Sequence, residues 1–179
     1  MSNHSPPGRA ERFVALFEAT YADLVRFAQR RVPAPQAEDI VAETFLVAWR
    51  RTDELPIGLA DARPWLFGIA RNVILNSHRG ARRQLAVAVR LAETAPSALD
   101  DDAELVARQV DLTRAWGRLT AVHQEALALS VLDDLTAPQA AAVLGISPVA
   151  FRLRLSRARR ALRALLGHHP APTPERHPS

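Results

Sequence analysis

The chain has 179 residues and not one cysteine. Disulfides and thiolate metal sites are thereby excluded, and any redox sensing must lie in a partner. Lysine is absent as well, so all 23 basic residues are arginine. Aromatic residues make up only 6%, while alanine, leucine and arginine abound, a balance that favours helices over sheets. No apolar run is long enough to span a bilayer, and the N-terminus lacks the apolar core of a signal peptide, which makes the cytoplasm the expected compartment. No nucleophile–base pair, metal-ligand spacing or phosphate-cradling glycine loop stands out, so neither an enzyme nor a cofactor is expected.

The arginines that are there cluster. The formal net charge is only +4, yet Ala62 to Ala92 holds arginines and no acid, Glu93 to Asp111 is dominated by acids, and Leu135 to Pro174 is basic again. Two basic blocks around an acidic one suggest two surfaces for a polyanion.

The second basic block has the clearest local grammar. Thr136-Ala137-Pro138-Gln139 reads as a capping box with proline in the first turn. Ala140, Ala141, Val143 and Leu144 continue the helix, and Gly145 can take the left-handed conformation that ends it. Ser147 then caps a second helix with Pro148 at its first position. Helix, glycine turn and capped helix make a helix-turn-helix. On the second helix Phe151, Leu155, Ala158, Leu162 and Leu165 form an apolar stripe. Val149, Leu153, Ser156, Arg157 and Arg160 lie about half a turn away, with Arg152 beside them and Arg154 and Arg159 on the flanks. Such a face is either a solvated arginine surface or a reader of the DNA major groove, where arginine bonds guanine and flanking arginines hold phosphate. The capped turn favours DNA.

The rest of the chain also reads as helical. Residues 1–10 form a polar lead-in. A helix follows from about Glu11 to Val32, with Phe13, Leu16, Phe17, Tyr21, Leu24, Phe27 and Ala28 as plain core. A second runs from about Pro35 to Arg51, burying Ile40, Val41, Thr44, Val47 and Ala48. It turns Glu38, Asp39, Glu43 and Arg50 outward and leaves Phe45, Leu46 and Trp49 at the edge of the buried arc. Its acids lie early and its arginines late, which is either a match to the helix dipole or a docking face. Residues 52–61 read as a loop. Pro64 opens a third helix with Trp65, Leu66, Ile69, Ala70, Val73 and Ser77 inward, and Arg71, Asn72, Asn76, His78, Arg79, Arg82 and Arg83 on its polar side. Residues 91–110 read as a linker. One or two helices follow over 111–134, with His123 at a boundary, and 167–179 reads as a tail. The expected fold is all-α, with two small helical domains, 11–90 and 111–166, joined by a flexible linker.

Taken together, AEDIVAETFLVAWRR with ARPWLFGIARN resembles region 2 of the bacterial sigma-70 family, and LTAPQAAAVLGISPVAFRLRLSRARRALR resembles region 4. The short spacing is similar to the extracytoplasmic-function (ECF) group, and the resemblance covers about residues 11–166. It implies that Glu38, Asp39, Glu43, Phe45, Leu46, Trp49 and Arg50 dock on core RNA polymerase. It implies that the loop 52–61 and Arg71, Asn72, Asn76, His78, Arg79, Arg82 and Arg83 engage the −10 promoter element. Ser147, Val149, Arg152, Leu153, Arg154, Ser156, Arg157, Arg159 and Arg160 would then face the −35 element, and an anti-sigma factor would be the usual control. The chain departs from the family pattern at Ala42, Gln124, Gln139-Ala140 and Leu153. A stand-alone regulator with a dimerising or ligand-binding N-terminal part would share the helix-turn-helix; it would bind duplex DNA as a dimer, without polymerase.

Overall fold

A computed structural model describes residues 8–77, 87–91 and 103–167. Among these there are seven α-helices and no strand. They are α1 (Arg9–Gln29), α2 (Ala34–Arg50), α3 (Leu59–Ser77), α4 (Ala103–Gly117), α5 (Ala121–Leu127), α6 (Ala137–Leu144) and α7 (Pro148–Gly167). The all-α class expected from composition is the one observed.

The first three helices pack on one another around Leu24, Phe27, Leu66, Phe67 and Ile74, all essentially inaccessible to solvent. Phe27 stacks on Phe67 at 4.6 Å between centroids. A 3-10 turn, Thr52–Glu54, leads out of α2. Arg12 pins the following stretch by donating to the Leu55 carbonyl at 2.6 Å. Helix α3 begins at Leu59 rather than at Pro64, which lies inside it. Proline is favoured at a helix start but does not require one.

The second group centres on Leu129, Phe151 and Ala158. Thr120 caps α5, and the chain then widens into a π turn over Ala128–Leu132. Asp134 takes a left-handed conformation, φ 49°, which aspartate tolerates better than most residues. The turn that follows shows the capping expected from the sequence. Thr136 and Gln139 form the capping box, Gly145 has φ 64°, and the Ser147 hydroxyl accepts from the Ala150 N–H at 3.2 Å.

The two groups are packed against each other, and their buried apolar residues form one contiguous cluster. Helix α6 lies on α3. Among the described residues three ion pairs, built on two buried carboxylates, cross between the groups. Asp133, fully buried, is paired with Arg31 at 2.7 Å and also with Arg30. Glu125, also buried, is paired with Arg71 at 2.7 Å. Burial lowers the Arg31 pKa below its ordinary value, and Asp133 opposes that shift. The Arg31 guanidinium also sits 3.5 Å from the Phe27 ring centroid.

Residues 87–91 thread between the groups. Val87 and Val89 are buried. The Arg90 N–H donates to the Arg30 carbonyl at 2.8 Å on one side. On the other, the Val89 N–H donates to Gln124 Oε1 at 3.2 Å, and the Val89 carbonyl accepts from Trp116 Nε1 at 2.6 Å. Gln124 Nε2 completes the knot by donating to the Trp116 carbonyl at 2.9 Å. The stretch expected as linker, 91–110, thus overlaps the first half of α4. Acids near its start suit the positive end of a helix dipole as well as they suit a tether.

Candidate nucleic-acid interface

Helix α7 shows its two faces as the period of 3.6 dictates. Phe151, Leu155 and Ala158 are buried, and Leu162 and Leu165 pack against the core at its edge. Val149, Arg152, Leu153, Ser156, Arg157, Arg159 and Arg160 are exposed, and Arg154 is half-buried. Ser147 is exposed and is used as the cap of α7. The exposed face is a strip of guanidinium groups on a rigid helix, broken by Val149, Leu153 and Ser156. Its width and donors match the edges and phosphates of duplex DNA.

On α2, Glu38, Asp39, Glu43, Leu46, Trp49 and Arg50 are exposed, while Ile40, Val41, Thr44 and Ala48 are buried and Val47 is half-buried. Phe45 is different. It is buried, packed under Phe17 at 4.7 Å between centroids and edge-on to Phe13 at 6.2 Å. It therefore supports the face from beneath rather than presenting a surface. Phe17 and Tyr21, expected as plain core, are instead 40% and 45% exposed. With Trp49, which meets Phe13 at 5.0 Å, they make an aromatic ridge across α1 and α2. Periodicity marks these positions as apolar but does not show that no third helix among the described residues covers them.

On α3 the expected residues divide. Asn72 and Asn76 are exposed. Arg71 is only 9% exposed and is paired with Glu125, so in this arrangement it faces the second helical group and not solvent. Nothing local in the sequence marks that pairing, since the partners lie 54 positions apart. Ser77, expected inward, is exposed and donates to the Ile74 carbonyl. His78, Arg79, Arg82 and Arg83 lie outside the described residues, as do the lead-in before Gly8 and most of the tail. Among the described residues no group of His, Asp and Glu could hold a metal ion, and no helix is long and apolar enough to cross a membrane.

Comparison with known proteins places both helical groups in one family. Residues 16–84 match Sigma-70 region 2, and residues 109–162 match Sigma-70, region 4. The ECF RNA polymerase sigma factor SigL of Mycobacterium tuberculosis is 33% identical over 154 residues, 85% of this chain and 87% of that one. The chain belongs to the ECF sigma factors of the sigma-70 family. Two solved structures share the fold at 26% identity. One is CnrH in complex with the cytosolic domain of CnrY, with a TM-score of 0.61 over 91% of this chain and 92% of that one. The other is the sigma factor RpoE in complex with the anti-sigma factor NepR from Bartonella quintana, with a TM-score of 0.64 over 89% and 99%. The sigma factor is thus a transcription initiation factor that directs RNA polymerase to promoters. Its helix-turn-helix is that of region 4, and the stand-alone regulator is set aside.

Proposed function

We propose that this sigma factor attaches to core polymerase through the exposed face of α2, engages the −10 element with α3 and the loop before it, and reads −35 duplex with α7. Asp39, Glu43, Leu46, Trp49 and Arg50 form the docking surface, and Phe45 holds its aromatic flank in place. Asn72, Asn76 and the stretch 52–61 meet the melted strand, joined by Arg71 once it is released from Glu125 and by His78, Arg79, Arg82 and Arg83. Arg152, Leu153, Ser156 and Arg157 face base edges with Val149 beside them, while Arg154, Arg159 and Arg160 with Ser147 hold the backbone. The domains are region 2 over 11–90 and region 4 over 111–166. The chain needs no cofactor and performs no chemistry of its own. It works in the cytoplasm and is held by an anti-sigma factor, as RpoE of Bartonella quintana is bound by the anti-sigma factor NepR.

The observation that carries this reading is the arginine face of α7, exposed on a helix whose opposite side is anchored in the core. Each contact alone is modest, and joining two on one polymerase multiplies their effect. Reconstitution with core polymerase on a genomic promoter library tests it. The expected result is chain-dependent transcripts from one promoter class carrying both elements. A chain that never associates with core polymerase, freed of any inhibitor, overturns the reading.

A further inference from the structure

The exposed face of α7 is not uniform along its length. Its first half carries two branched hydrocarbon side chains, Val149 and Leu153, which are 67% and 52% exposed. They stand one helical turn apart on the same side, with Cβ atoms about 5–6 Å from each other. The same line runs on to Arg157, with Ser156 and Arg160 beside it. Phe151, Leu155 and Ala158 anchor the opposite side in the core, so Val149 and Leu153 cannot turn inward without breaking that anchor.

Their place on the helix matters. A recognition helix meets base edges with its N-terminal residues. Val149 follows Pro148, the first residue of α7, and Leu153 lies one turn further on. Neither side chain donates or accepts a hydrogen bond. Pressed on guanine O6 or cytosine N4, they would strip water from a polar group and return nothing, an uncompensated loss. Thymine alone presents an apolar group in the major groove, its C5 methyl. Base pairs follow one another at about 3.4 Å along the duplex, so side chains about 5–6 Å apart span one or two steps.

We propose that Val149 and Leu153 read the methyl groups of thymines on neighbouring base pairs of the −35 element, beside the bases bonded by Arg152 and Arg157. The proposal rests on the reading of α7 as the −35 helix and adds which base its first half selects. The two side chains divide the work by shape. Val149 is branched at Cβ and stiff, and Leu153 is longer by one carbon. Arginines give the face its attraction for any duplex, and the apolar pair rejects sequences that would leave a polar base edge dry.

The test removes the methyl and nothing else. The full chain with core polymerase first selects its −35 element from a promoter library. Each thymine of that element is then replaced singly by deoxyuridine, which keeps O4 and lacks the methyl. Binding should weaken about fourfold at each of one or two neighbouring thymines, the contribution of one buried methyl group. Leu153→Ser should abolish the response at one of these positions and Val149→Ser at the other. Both side chains are exposed, so the unfolding midpoint should not move. A selected element that lacks thymine, or that is indifferent to deoxyuridine throughout, overturns the proposal while the −35 reading of α7 stands. Variants that bind more weakly yet keep the full response to deoxyuridine also overturn it. Selection of no −35 element overturns both.

Discussion

Gln124→Met tests whether hydrogen bonds hold the segment 87–91 between the two helical groups. Methionine nearly matches glutamine in volume, so packing is kept and only the polar ends are lost. Gln124 is buried and makes two bonds, accepting from the Val89 N–H and donating to the Trp116 carbonyl. The consequences differ. The Trp116 carbonyl still accepts from the Leu119 N–H at 3.1 Å, so it loses one of two partners, at about 0.5–1.5 kcal/mol. The Val89 N–H is left buried with no acceptor, at about 1–3 kcal/mol. Together the substitution should destabilise the chain by roughly 2–4 kcal/mol, which for a chain of this size lowers Tm by about 5–15 °C. Urea unfolding followed by circular dichroism measures the first quantity, and the Val89 amide should lose its protection from hydrogen exchange. A change below about 0.5 kcal/mol, at unaltered denaturant slope, would refute the accounting, because it would mean that an orphaned donor in this knot has found water.

Three further outcomes are expected. Gly145→Ala should cost about 1–2 kcal/mol in thermal unfolding, and the cost is one of backbone conformation alone, since a Cβ there meets nothing within 4 Å. Arg157→Ala should weaken binding to −35 duplex by roughly 1–3 kcal/mol if it pairs with a base; a transcription assay with unaltered preference across −35 variants would remove it from the reading face. Asp39→Asn with Glu43→Gln should reduce affinity for core polymerase while leaving the unfolding midpoint within about 0.5 kcal/mol of its original value, because both side chains are exposed.

The parts of the molecule legible from the sequence are those governed by neighbours along the chain. Thr136, Gln139, Gly145, Ser147 and Pro148 each act on a backbone group a few residues away, so the turn between α6 and α7 could be written down before it was seen. The faces of α7 followed from the period of the helix. What periodicity cannot supply is which apolar stripe meets another helix. Phe17 and Tyr21 have the spacing of core residues and lie on a ridge instead. Contacts between groups distant in sequence left no local trace. Arg31 and Asp133 are 102 positions apart, and neither residue type hints at a buried partner. The start of α3 was hidden for a related reason: Pro64 reads as a beginning unless one knows that Gln139, 79 positions from Ala60, donates to the Ala60 carbonyl that Pro64 leaves without an N–H.

The inserted segment 87–91 pins the two helical groups together. Elements centred 10 and 35 base pairs upstream of a start site lie about 25 base pairs, or roughly 85 Å, apart along straight duplex. The 25 residues from 78 to 102 can reach at most roughly 80–90 Å when fully drawn out. With the pin in place, bonded to α1 on one side and to Trp116 and Gln124 on the other, that length is out of use and the two grips stay side by side. If the two proposed grips are to reach both elements at once, these five residues would have to leave their place between the helices.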